Sequence, residues 1–89
     1  MAYPSQADVE EALEAELRRR GVPTKPLDLY DSLADVFGLS KADRERLRTD
    51  GQPGRVWWNK VQWARRGLVD RGVIVHRPYR PWALAEWDR

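Results

Sequence analysis

The feature that most constrains the fold is a stretch of helical periodicity at residues 55–72. Its apolar side chains are spaced so that they line one face of an α-helix: Trp57, Val61, Ala64 and Leu68. Gly72 follows at the position where a helix commonly ends in a left-handed residue. The spacing therefore predicts an amphipathic helix over about 55–71, with a hydrophobic core beneath its apolar face.

The opposite side of this helix is polar. The residues that collect there are Asn59, Gln62, Arg66 and Asp70, with Lys60 and Arg65 on the flanks. Amide and guanidinium groups are the side-chain groups that pair with base edges and with phosphates. The stretch is therefore predicted to be a recognition helix.

The chain before it is also predicted to be helical. Ser5 and Asp8 have the spacing of a capping box, and Gly21 ends a first helix at about Arg20. The residues expected to face inward from this helix are Val9, Ala12, Leu13 and Leu17. Three arginines in its last turn suit the negative end of the helix dipole, which is a simpler explanation of that cluster than nucleic-acid binding.

A second helix is predicted from Pro26 to Gly38, and a small charged helix over 40–48. The second helix is expected to bury Leu29, Tyr30, Leu33, Val36 and Phe37. The small helix should open with Ser40 as its cap and bury Leu47 or Leu39. Residues 49–54 are dense in turn-forming residues and should be a loop.

After Gly72 the pattern predicts a β-hairpin, with strands at 73–76 and 81–87 around a turn at 77–80. The polar residues at its tip are His76, Arg77, Tyr79 and Arg80. The order of elements predicts an α+β, mainly α fold. It is a winged helix-turn-helix with three main helices, a small inserted helix and a C-terminal β-hairpin wing. Residues 1–89 should form this single domain.

Charge is distributed unevenly along the chain. Residues 1–40 hold four Lys or Arg and eight Asp or Glu, whereas residues 41–89 hold twelve and six. Such asymmetry indicates a basic face turned toward a polyanionic partner, although a general bias toward arginine would give the same counts. The chain lacks cysteine, a signal peptide pattern and a run of apolar residues long enough to span a membrane. A cytoplasmic protein without membrane contact is expected.

Catalysis is not expected from this sequence. His76 is the one histidine, so a catalytic triad could use only that residue. The carboxylates Glu10, Glu11, Glu14 and Glu16 lie around the first helix and do not converge as metal ligands would. We therefore expect no enzyme activity, no cofactor and no metal.

Several short motifs resemble the N-terminal winged-helix domain of Mrr-type restriction proteins. The motifs that carry the resemblance are Tyr3-Pro4-Ser5, Leu33-Ala34-Asp35, Phe37-Gly38-Leu39-Ser40, Asp50-Gly51, Val61, Trp63-Ala64-Arg65, Leu68, Gly72, Ile74, Arg80 and Trp82. Their order and spacing cover nearly the whole chain. One departure is Pro81, where the family tends to place a glycine.

The resemblance implies a DNA-binding module in a bacterial-type restriction, defence or regulatory setting. In that family the domain is usually fused to a nuclease, for which 89 residues leave no room. It does not imply cleavage by this chain, which could also be a piece of a longer enzyme.

We expect double-stranded DNA to be the partner. The predicted contact residues are Arg55, Asn59, Lys60, Gln62, Arg65, Arg66, Arg77, Tyr79 and Arg80. The helix would enter the major groove, and residues 76–81 of the wing would meet the backbone.

The alternative is a protein-interaction or dimerisation module that does not bind DNA. It is motivated by Trp63, which helical spacing places nearly opposite the apolar face. We expect Trp63 to pack under residues 39–54 or the hairpin. If it is exposed, an interface with a second copy or another protein gains weight.

Overall fold

Four α-helices and a short 3₁₀ turn make up the fold. The computed structural model describes residues 3–88. The helices are α1 (Gln6–Arg20), α2 (Pro26–Val36), α3 (Lys41–Glu45) and α4 (Val56–Asp70), and the 3₁₀ turn spans Ala85–Asp88. No helix within residues 3–88 has the length and apolar character needed to cross a membrane.

The ends of the helices follow from local side-chain chemistry. The Ser5 hydroxyl accepts the Asp8 N–H at 3.2 Å, and Ser40 accepts the Asp43 N–H at 3.1 Å. These two caps begin α1 and α3 as predicted. α1 ends at Gly21, whose φ of 70° is the left-handed conformation in which its N–H reaches the Leu17 carbonyl at 2.9 Å.

The core lies between α1, α2 and α4. Its main residues are Val9, Leu13, Leu17, Leu29, Tyr30, Leu33, Trp57, Val61, Ala64 and Leu68, all buried. Trp57 is held in place by a hydrogen bond of 2.8 Å from its indole N–H to the Tyr30 carbonyl. Burial of each large apolar side chain contributes roughly 1.5–3 kcal/mol. The apolar face predicted for α4 is confirmed.

One predicted inward position is wrong. Val36 is 61% exposed, because α2 ends there and the chain turns away at Phe37. Of the two candidates near the small helix, Leu39 is buried and Leu47 is 66% exposed.

The predicted winged helix-turn-helix of α+β class, with a β-hairpin wing, is wrong. The chain is mainly helical. Within the described residues, strand pairing is limited to isolated β-bridges, and no sheet is formed. Ile74 and Leu84 form one antiparallel bridge, flanked by two backbone hydrogen bonds, where the hairpin was expected. The end of the expected returning strand is instead the 3₁₀ turn.

The hairpin fails because its backbone groups are used elsewhere. The Val73 N–H donates to the Leu68 carbonyl at 2.8 Å and so closes the end of α4. Trp82 exchanges both of its backbone hydrogen bonds with Thr24, at 2.9 and 3.0 Å. Pro78 and Pro81 have no N–H to donate. Residues 76–81 therefore form a loop, which is tied through Trp82 to the segment before α2.

Candidate functional site

The outward face of α4 is a polar ridge that also carries one aromatic side chain. It lies opposite Trp57 and Leu68, so the core holds the helix while the ridge meets solvent. The ridge residues are Arg55, Asn59, Gln62, Trp63, Arg66 and Asp70. A shallow depression of about 300 Å³ runs over it, lined by Asn59, Gln62, Trp63, Arg65 and Arg66.

The amide side chains of the polar ridge are partly fixed from behind. Gln62 Nε2 donates to the Tyr30 hydroxyl at 2.9 Å, and Asn59 Oδ1 accepts from Arg48 at 3.0 Å. Burial raises the pKa of Tyr30, so its hydroxyl stays protonated at neutral pH. Both amides are thus oriented, and each keeps further donor or acceptor groups for another partner.

Cations flank the polar ridge on both sides. The Lys60 ammonium lies 5.5 Å from the centre of the Tyr3 ring, on the side of α1. The Arg65 guanidinium lies 5.4 Å from the Trp82 ring, on the side of the 76–81 loop. These are cation–π distances, which hold the long side chains in place without neutralising their charge. Arg55 is held in the same way, 4.8 Å over Trp58.

Most arginines of the chain are paired with acids. Those within ion-pair distance of a carboxylate are Arg18, Arg19, Arg20, Arg44, Arg46, Arg48, Arg66, Arg71 and Arg77. Within residues 3–88, the arginines without such a pair are Arg55, Arg65 and Arg80. All three were predicted contact residues, and all lie on α4, at its start or in the loop beside it.

The 76–81 loop is exposed along its whole length. Tyr79 is fully exposed and has a φ of 63°, a left-handed conformation that is unfavourable for an aromatic residue. Arg77 forms an ion pair with Asp88, whereas Arg80 has none in the described part of the chain. The loop thus presents an aromatic ring and one unpaired cation to solvent.

A groove of about 590 Å³ lies between the start of α2 and the 76–81 loop. It is lined by Lys25, Pro26, Arg65, His76, Arg77, Pro78, Tyr79, Arg80, Pro81 and Trp82. No carboxylate is among these residues. Thr24 brings Lys25 to this place, because its two backbone hydrogen bonds with Trp82 fix the segment before α2 against the loop.

Arg65 is an unpaired cation that is partly buried. Burial, and the neighbouring charge of Arg66, lower its pKa, yet a guanidinium remains charged at neutral pH. Its Nε is buried without a hydrogen-bond partner in the described structure. Buried polar atoms in native proteins are nearly always paired, so this atom is an exception that calls for a reason.

Trp63 lies on the surface, against the expectation that it packs under residues 39–54 or the hairpin. It is 57% exposed and stands beside a small depression of about 130 Å³, which Pro4, Gln6, Val9, Asn59 and Lys60 also line. The expected cover is missing because α1, and not the 39–54 segment, passes on that side of α4.

The structure places the predicted contact residues of α4 on the polar ridge or on its two flanks, and it places the loop residues beside Arg65. Sequence reasoning missed Lys25, which no local pattern distinguishes from a solvated lysine. It also missed Arg48, which orients Asn59 from the loop before α4. Within residues 3–88, no group of three or more His, Cys, Asp or Glu is placed to hold a metal ion.

Comparison with known protein families gives one match. A family model described as the Mrr N-terminal domain matches residues 9–86, nearly the whole chain. No match to a catalytic domain accompanies it. No curated protein and no solved structure matches the chain significantly.

Proposed function

The chain belongs to the family of Mrr N-terminal domains, which is associated with restriction systems, and on that premise we propose that it binds double-stranded DNA. The observation that carries the proposal is the polar ridge of α4, because its amides and its guanidinium group lie between cations on two sides. A helix of 15 residues is roughly 22 Å long and fits the major groove, which is about 12 Å wide.

In the proposed complex, Asn59, Gln62 and Arg66 approach base edges. Asn and Gln suit adenine, and Arg suits guanine, by bidentate hydrogen bonding. Arg66 is ion-paired to Asp70 at 3.2 Å, but both side chains are exposed, so the pair exchanges easily for a base contact.

The flanking cations contact the phosphates. Lys60 and Arg65 lie on opposite sides of the polar ridge, as the two strands of a duplex lie on opposite sides of its major groove. The 76–81 loop extends the Arg65 side with Arg77, Tyr79 and Arg80. Arg55 lies at the start of α4 and adds a further charge there.

The test is fluorescence anisotropy of a labelled duplex of about 20 base pairs, roughly two helical turns, titrated with the protein at low and moderate salt. We expect affinity that falls steeply with salt and is lost in Arg66→Glu. Lys41→Glu is the matched control, because it also reverses one positive charge, at an exposed position of α3 that is not one of the ridge residues. Absence of binding by the parent protein at low salt would refute the proposal.

A second candidate function is a protein interface centred on Trp63. Its 57% exposure supports this candidate, because a large exposed aromatic side chain often marks an interaction site. In that case Trp63→Ala changes the sedimentation coefficient of the protein, and DNA affinity is negligible at every salt concentration. An unchanged coefficient at concentrations where the parent protein self-associates would exclude a dimer through this surface.

A further inference from the structure

We propose that the groove between the start of α2 and the 76–81 loop is a seat for a nucleotide phosphate, held by Arg65, Arg80 and Lys25. The inference deepens the DNA-binding proposal and rests on it for the source of the phosphate, a backbone phosphodiester of the bound strand. A free nucleotide offers the same chemistry and is distinguished below.

The shape of the groove fits more than a single ion. Its volume of about 590 Å³ lies within the range of roughly 300–1,000 Å³ typical of small-molecule sites. Three prolines and Trp82 supply apolar wall. A phosphate with its sugar therefore has room, with the sugar against the proline rings and the phosphate near the cations.

The charge of the groove is selective for an anion. Arg65 and Arg80, which line it, are two of the arginines that have no acid partner in the described chain, whereas arginines elsewhere are mostly paired. Arg77 also lines the groove, and its acid partner, Asp88, does not. Lys25 adds a cation from the opposite wall. Unpaired cations from three separate segments thus meet in one place.

The geometry of Arg65 suits a phosphate. Its guanidinium carbon lies 5.4 Å from the centre of the Trp82 ring, so the aromatic ring holds the charged group beside the groove. Planar N–H pairs match phosphate oxygens in a bidentate manner. Its Nε has no hydrogen-bond partner within residues 3–88 but is buried, so the terminal N–H groups of the guanidinium are the donors proposed for the phosphate.

The direct test is a ¹⁵N NMR titration of the full chain, observing arginine Nε–H signals and backbone amides. The probes are thymidine 5′-monophosphate, inorganic phosphate, thymidine and the duplex, all at matched ionic strength. We expect saturable shifts of Arg65 Nε–H and of the Lys25 and Arg80 amides with the monophosphate, and none with thymidine. Shifts spread over all basic residues without saturation would overturn the inference.

The duplex distinguishes the two sources of phosphate. The backbone source predicts the same shifts at far lower duplex concentration. A second outcome is that the groove residues shift with the monophosphate but the protein binds no duplex. This result would support the phosphate seat, and it would overturn both the DNA backbone as the source of the phosphate and the DNA-binding proposal. A duplex that binds while Arg65 Nε–H stays unmoved would overturn the groove inference alone.

A charge-removal series gives a second measurement. Each phosphate contact adds about 0.9 to the slope of log affinity against log salt. Lys25→Gln and Arg80→Gln should each reduce the slope by about this amount, whereas Lys41→Gln should leave it unchanged. Both groove variants alter exposed side chains, so the fold is retained. Unchanged slopes in both would overturn the inference.

Discussion

Two arginine clusters lie in this molecule, and the less conspicuous one is the more available. Arg18, Arg19 and Arg20 form a run at the end of α1, and all three pair with glutamates. Arg65 and Arg80 are far apart in sequence, yet they meet at the groove without an acid partner in the described chain. Counting arginines along a sequence therefore locates charge without showing whether it is free.

The difference follows from helical spacing. Glu14 and Glu16 precede the arginine run by three or four residues, where side chains meet on a helix surface. Glu16 is buried and receives both Arg19 and Arg20, at 2.6 and 2.8 Å. Three and four residues before Arg65 stand Gln62 and Val61, so α4 supplies no acid to it there.

The largest expected effect comes from removing charge at each cluster in turn. The double variant Lys25→Gln/Arg80→Gln should lose about 60-fold in duplex affinity near ~0.1 M salt, because each lost phosphate contact costs about eightfold there. Arg18→Gln/Arg19→Gln removes the same charge and should change affinity less than about twofold. Anisotropy titrations check both, and equal losses would erase the distinction between the clusters.

Removing the glutamate that pairs with the arginines at the end of α1 should lower the stability of the protein. Glu16→Ala leaves Arg19 and Arg20 without their shared partner and removes charged hydrogen bonds, at a cost of about 1–3 kcal/mol in the free energy of unfolding. Urea unfolding followed by tryptophan fluorescence measures this. Glu11→Ala, at an exposed position of the same helix, is the control. An equal cost in both variants would show that the contacts of Glu16 with the two arginines add nothing to stability.

The contacts of Glu16 with the two arginines should also make the stability of the protein depend on pH in the acid range. The hydrogen bond from Arg19 lowers the pKa of Glu16, burial opposes this effect, and the hydrogen bond from Arg20 adds to it; together they bring the pKa from 4.5 to about 2. A lowered folded-state pKa stabilises the protein above the ordinary value, and that contribution is lost as the pH falls from about 4.5 toward 2. Urea unfolding across this range should show a weaker pH dependence in Glu16→Gln; identical dependence would contradict the assignment.

The smallest effect should separate two neighbours in the 76–81 loop. Arg77 already has Asp88 as an ion-pair partner, whereas Arg80 has none within residues 3–88. Arg77→Gln should therefore reduce duplex affinity by less than about threefold, against about eightfold for Arg80→Gln near ~0.1 M salt. Asp88→Asn should slightly raise affinity by releasing Arg77. The reverse order in an anisotropy titration would show that pairing does not govern availability.

The helices were predictable because their signals are local. Ser5, Ser40 and Gly21 cap their helices through neighbours a few residues away, and the apolar spacing on α4 determines which face is buried. The absence of the predicted hairpin could not be foreseen, because the N–H of Val73 and both backbone groups of Trp82 bond to partners outside it. Alternating residues indicate a strand but do not reveal a competing acceptor.

The candidate site divides in the same way. The polar ridge follows from the period of a single helix, so Asn59 and Arg66 could be placed from sequence. The groove could not be predicted in this way, because Lys25, Arg65 and Arg80 come to it from three separate segments. The contact of Arg65 with the Trp82 ring likewise joins residues that are distant in sequence. The exposure of Trp63 likewise depends on where α1 packs, and the spacing of residues on α4 gives no information about that.

The paired backbone hydrogen bonds between Thr24 and Trp82 have a consequence for biosynthesis. They close residues 24–82 into one loop, and closing a loop of this length carries an entropy cost that slows folding. A nascent chain that has not yet emerged as far as Trp82 has no second wall for the groove. The cationic groove is thus completed only near the end of translation of this domain.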